Sequence, residues 1–95
     1  MKITVEFLSL PNVAKMVGSK MVTLDFSGTT VEELVLQVCE KYGPKVRQFL
    51  LDESGQLDLS FAVTINKKEW IRRDQMSHAL CDGDQVTIML LAAGG

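Results

Sequence analysis

From Lys2 to Leu8 the chain alternates: Ile3, Val5 and Phe7 fall on one side, Lys2, Thr4, Glu6 and Leu8 on the other. Successive side chains of a strand point to opposite faces, so this period of two predicts a half-buried β-strand. Pro11-Asn12 interrupts the pattern, and NVAKMVGSK reads as a loop whose sharpest turn is Gly18-Ser19. Alternation resumes from Met21 to Phe26, with Val22, Leu24 and Phe26 on one face. The two runs predict an opening hairpin with a long loop.

The stretch SGTTVEELVLQVCEKYG changes period. Val31, Leu34, Val35, Val38 and Tyr42 form one apolar stripe at helical spacing, with Glu32, Gln37, Glu40 and Lys41 opposite. Thr30 is the expected N-cap. Glu33, three residues on, completes a capping box in which each side chain satisfies an otherwise unpaired amide. Gly43 and Pro44 stop the helix. PKVRQFLLDESGQL predicts a second, short helix with Val46, Phe49 and Leu50 on one face, ended by Ser54-Gly55. Phe61, Val63 and Ile65 then alternate with Ala62 and Thr64 as a third strand, Asn66-Lys67-Lys68 turns the chain, and Trp70-Ile71 make a short fourth. RRDQMSHALCDGD reads mostly as loop, with Leu80 anchored inward and a turn at Asp82-Gly83-Asp84. QVTIMLL is the last strand: Val86, Ile88 and Leu90 share one face, Thr87, Met89 and Leu91 the other. This order predicts an α+β domain of two layers, a mixed sheet of four or five strands covered by one main helix and one short one.

Composition narrows the function classes. Ninety-five residues fit a single domain, 1–95, and 46% hydrophobic with 23% charged residues is ordinary globular usage. A net charge of −2 lacks the basic excess of a nucleic-acid binder, so Lys67-Lys68 and Arg72-Arg73 read as solvated loop charges. No apolar run approaches the ~20 residues that span a bilayer, and MKITVEF does not read as a secretory signal. The expectation is a cytoplasmic protein with no membrane partner. Cys39 and Cys81 form no CxxC pair and read as free thiols.

Catalytic chemistry is hard to find. The single histidine, His78, excludes a histidine-based metal cluster, and no metal site is expected. There is no phosphate-binding glycine loop and no G-x-S-x-G elbow. Asp82 and Asp84 lack the remaining ligands of a calcium loop. Asp52, Glu53 and Asp58 read as surface acids. What remains is the tail, Ala92-Ala93-Gly94-Gly95. An α-carboxylate, with pKa about 3.3–3.7, is a poor electrophile at neutral pH. Adenylated by a partner using ATP, it becomes a mixed anhydride that a sulfur donor converts to a thiocarboxylate, or an amine to an amide. Four residues reach about 13–14 Å. Gly94 and Gly95, without Cβ, fit a channel too tight for side chains, and Ala92 and Ala93 keep the approach slim. Leu8, Met89 and Leu91, on the outward side of the first and last strands, are candidates for docking.

The chain resembles the MoaD/ThiS family of ubiquitin-like sulfur carriers along essentially its whole length. The resemblance rests on ITVEFL, GTTVEELVLQVCEKYG, FAVTIN, CDGDQV before the last strand, and Gly94-Gly95. It implies a β-grasp fold with the first and last strands adjacent. It also implies a Gly95 carboxylate that is adenylated and thiocarboxylated, with Gly94 as the slim penultimate residue. The implied partners are a ubiquitin-activating-type adenylating enzyme, a sulfur donor and the molybdopterin synthase large subunit, with no permanently bound cofactor. The sequence departs from the family where many members have a proline before the tail, and where many have Asn-Gly in place of Asn66-Lys67. Two alternatives stay open: a ubiquitin-like modifier joined to lysines through Gly95, and a β-grasp binding module.

Overall fold

A computed structural model describes residues 1–91. Its elements are β1 (Lys2–Leu8), α1 (Pro11–Val17), β2 (Met21–Asp25), α2 (Val31–Tyr42), α3 (Pro44–Leu50), β3 (Phe61–Ile65), β4 (Glu69–Ile71), a 3₁₀ turn (Arg73–Gln75) and β5 (Gln85–Leu90). The alternation of β1 is realised in its packing: Ile3, Val5 and Phe7 are at most 1% exposed. The stripe of α2 meets them with Val31, Leu34, Val35 and Val38, all buried. Each such aliphatic side chain contributes roughly 1.5–3 kcal/mol on leaving water. That energy, more than intrinsic propensity, holds a helix of this length.

The capping box at the start of α2 closes in both directions. The Glu33 amide donates to Thr30 Oγ1 at 3.2 Å, and the Thr30 amide donates to Glu33 Oε1 at 3.1 Å. The Thr29 amide and hydroxyl donate to the same carboxylate oxygen, and these bonds lower the Glu33 pKa from its ordinary value.

The strands form one sheet in the order β2-β1-β5-β3-β4. β1 pairs antiparallel with β2 and parallel with β5, and β3 pairs antiparallel with β4 and β5. The two-layer α+β architecture is therefore present, with the first and last strands adjacent. Helices cover one face; among the described residues none covers the other.

One local expectation is corrected, and two residues on expected faces are more exposed than their neighbours. NVAKMVGSK is not a loop: Pro11–Val17 is helical, with Pro at the first turn and Gly18 at φ 98 closing it. Val13 is fully buried and Met16 and Val17 pack partly against the core, so tertiary contact stabilises a segment too short to be helical alone. Leu90 shares a side with Val86 and Ile88, yet it is 50% exposed, because it holds the strand's last position, where the core runs out. Phe49 lies at the margin of its helical face, 38% exposed, with its ring 5.9 Å from that of Phe61.

Candidate functional site: the open sheet face and the root of the tail

The middle strand of the sheet is the one that leads to the tail. β5 lies between β1 and β3 and is fixed at both ends. Where it begins, the Thr4 amide donates to the Asp84 carbonyl at 3.0 Å and the Gln85 amide donates to Asn66 Oδ1 at 2.9 Å. The carboxylates of the CDGDQV stretch serve this junction. Asp82 accepts from the Lys2 amide, and Asp84 accepts from the Cys81 amide through one oxygen and from the Asn66 side-chain amide through the other. Where β5 ends, the Leu91 amide donates to the Ser60 carbonyl at 2.7 Å. The chain is thus held to the last described residue, directly before Ala92.

The register aligns the uncovered face in cross-strand rows. Met21, Glu6, Thr87, Thr64 and Trp70 form one row across all five strands; Leu8, Met89 and Ala62 form the next. The ends of the first row are open, Met21 at 43% and Trp70 at 62% exposed, whereas Glu6, Thr64 and Thr87 are at most 6% exposed. Glu6 Oε1 accepts from the Thr87 hydroxyl at 3.0 Å and the Gln85 side-chain amide at 3.3 Å, and lies 3.4 Å from Lys67 Nζ. Thr64 Oγ1 is buried without a hydrogen-bond partner among the described residues.

Leu8 and Met89, expected on a docking face, are a registered pair, Leu8 39% exposed and Met89 half-buried. Leu91 is 46% exposed just past β5. It borders a groove of about 480 Å³ beside β4, together with the exposed Leu59 and Trp70 and the buried Val35, Leu57 and Ile71. Ala92, Ala93, Gly94 and Gly95 lie outside the described residues. Glu6, Trp70 and Met21 on the same face were not singled out by the sequence. Glu6 reads as an ordinary outward residue of an alternating strand, and no local signal marks it as buried.

Elsewhere the side chains offer little chemistry. Burial raises the pKa of the Cys39 thiol above its ordinary value, which disfavours the thiolate. Cys81 is exposed at the turn before β5. Arg73, read from sequence as a solvated charge, ties a loop together: its guanidinium donates to Asp52 at 2.6 Å, to Gln56 and to the Leu57 carbonyl. Bonds from Ser54 and Arg73 hold the Asp52 carboxyl well below the usual range. Among the described residues no group of three or more His, Cys, Asp or Glu is placed to hold a metal ion, and no helix is long and apolar enough to cross a membrane.

No protein-family model matches the chain, and no curated protein matches it. Its likeness is to solved structures. Small archaeal modifier protein 1 from Haloferax volcanii superposes with a TM-score of 0.77 at 21% identity over 100% of both chains. The protein of that name from Methanosarcina acetivorans gives 0.76 at 25% identity, covering 99% of this chain and 96% of the other. Urm1 from Trypanosoma brucei gives 0.72 at 24% identity, over 99% and 95%. The similarity is thus of Urm1 and archaeal-modifier type rather than specifically of MoaD/ThiS type, and the architecture is the ubiquitin-like β-grasp fold.

Proposed function

We propose that this chain is a ubiquitin-like modifier and carrier, without catalysis of its own, used through the α-carboxyl of Gly95. An adenylating enzyme docks on the open face and takes up the tail. A Gly95 carboxylate oxygen attacks the α-phosphorus of ATP and pyrophosphate leaves, giving an acyl adenylate. A substrate lysine amine then attacks the acyl carbon, AMP leaves, and an isopeptide bond joins the chain to its target. The observation that carries this reading is the anchoring of β5: a central strand held on both sides and fixed by the Leu91–Ser60 bond delivers the slim tail from a rigid base. Likeness to proteins described as modifiers supports the lysine branch.

The same adenylate accepts a sulfur nucleophile, and the resulting thiocarboxylate makes the chain a sulfur carrier. Gly94-Gly95 and CDGDQV support that branch. Its narrower MoaD/ThiS form delivers sulfur to a molybdopterin precursor through the large synthase subunit. Deleting Gly95 tests the common step. The truncated chain is expected to keep its melting temperature and lose all activation in an ATP–pyrophosphate exchange assay with the cognate enzyme; activation that survives the deletion overturns the proposal. Tryptic peptides carrying the tail remnant on lysine report the modifier branch. Intact mass with one terminal oxygen replaced by sulfur reports the carrier branch.

A further inference from the structure

The open face has a polar centre with apolar residues on one flank. Met21 lies beside Glu6 and the Leu8–Met89 pair forms the next row, while Thr23, Thr4 and Gln85 form the row on the other side; the Glu6 carboxylate is almost wholly enclosed. Burying a charge is costly unless it is fully paired. All three contacts to Glu6 fall on Oε1. Oε2 has no hydrogen-bond partner among the described residues. One of the Oε1 contacts is loose: Lys67 Nζ lies 3.4 Å away on a side chain that is 60% exposed. Farther along the row, Thr64 Oγ1 is a second polar atom without a partner. The middle of the face therefore holds polar atoms that are incompletely paired.

We propose that Glu6 is the specificity determinant of this face: it receives an arginine side chain from the docking partner, whose guanidinium bonds Oε2 and displaces the Lys67 ammonium from Oε1. A guanidinium presents parallel N–H groups that match both oxygens of one carboxylate, which a single ammonium at the edge of the pocket does not. Leu8, Met21 and Met89 beside Glu6 keep water from that flank of the pair, as apolar contacts do around a buried polar hot spot. Lys67 then acts as an exchangeable cover. Its backbone sits at φ 57, a conformation that favours glycine, and its side chain satisfies Glu6 while no partner is bound. This inference rests on the proposed function, because the partner tested is the adenylating enzyme.

The test is adenylation kinetics of the full chain, with the carrier as varied substrate. Glu6→Gln keeps the shape and one acceptor oxygen and removes the charge. It is expected to raise KM about tenfold or more while kcat stays within about twofold. Lys67→Ala removes the competing cation and is expected to lower KM. A merely structural Glu6–Lys67 pair weakens docking in both variants, so opposite signs support the proposal and a raised KM for Lys67→Ala overturns it. An unchanged KM for Glu6→Gln, with circular dichroism confirming the fold, overturns it too. If the wild-type chain is not adenylated at all, the functional reading falls and this one with it. If the wild-type chain is adenylated and Glu6→Gln is indistinguishable from it, only the arginine inference fails.

Discussion

Thr64 and Thr87 face each other across β3 and β5, both buried, both on the uncovered face, and they differ in what their hydroxyls do. The Thr87 hydroxyl donates to Glu6 Oε1 at 3.0 Å, whereas Thr64 Oγ1 has no partner among the described residues. Replacing either with valine exchanges a hydroxyl for a methyl of nearly the same shape, so the pair separates hydrogen bonding from packing. An unsatisfied buried polar group costs about 1–3 kcal/mol, and Thr64→Val removes that cost while adding apolar burial. It is expected to stabilise the fold by about 1 kcal/mol, which for a chain of this size raises Tm by about 4–8 °C. Thr87→Val removes a hydrogen bond to a carboxylate and is expected to cost about 1.5–3 kcal/mol. Urea unfolding at neutral pH reads both as shifts in midpoint at unchanged slope. If Thr64→Val destabilises by as much as Thr87→Val, its hydroxyl is satisfied in solution and the account of this row is refuted.

Other expectations follow from single residues. Thr30→Ala removes the cap accepted from the Glu33 amide and is expected to cost about 1 kcal/mol by thermal unfolding. The Asp52 pKa is depressed in the folded state by Ser54 and Arg73, so its contribution is complete above the ordinary carboxylate range, near pH 4 and upward. That contribution is lost as pH falls from there towards the lower folded value. Asp52→Asn is therefore expected to flatten the acid limb of a Tm-against-pH profile and to leave the neutral limb parallel to wild type. Lys67→Gly relieves a left-handed backbone, worth about 1–2 kcal/mol, but removes the counter-ion of the enclosed Glu6, so urea titration is expected to show less than that gain, and Lys67→Ala, which keeps the strain, to show net destabilisation.

Period and punctuation were enough to read α2, β1, β3 and β5 from the chain, because each couples a strong repeat to a physical stop. Thr30 and Glu33 announced one end of α2, and Gly43-Pro44 the other. α1 was illegible for the converse reason. Leu10 at its N-cap offers no side-chain acceptor, its seven residues barely complete two turns, and Pro11 and Gly18 at its ends look like loop residues. Only the burial of Val13 against elements distant in sequence makes it a helix. Alternation gave the direction of Glu6 correctly and its burial wrongly, since enclosure comes from neighbouring strands through Thr87 and Gln85. Of the proposed docking residues, the pairing of Leu8 with Met89 was readable once β1 and β5 were taken as adjacent. Trp70 was not, because nothing local says that a three-residue edge strand ends the same row.

The parallel pairing of β1 with β5 brings Val5 beside Val86, partners from opposite extremes of the described chain. The last of the five strands to leave the ribosome is the one in the middle, and until it arrives β1–β2 and β3–β4 are separate hairpins with their inner edges open. Such long-range closure makes folding slow and leaves the nascent chain exposed to strand-edge association. It also orders events in time: the open sheet face is complete only once β5 has been made.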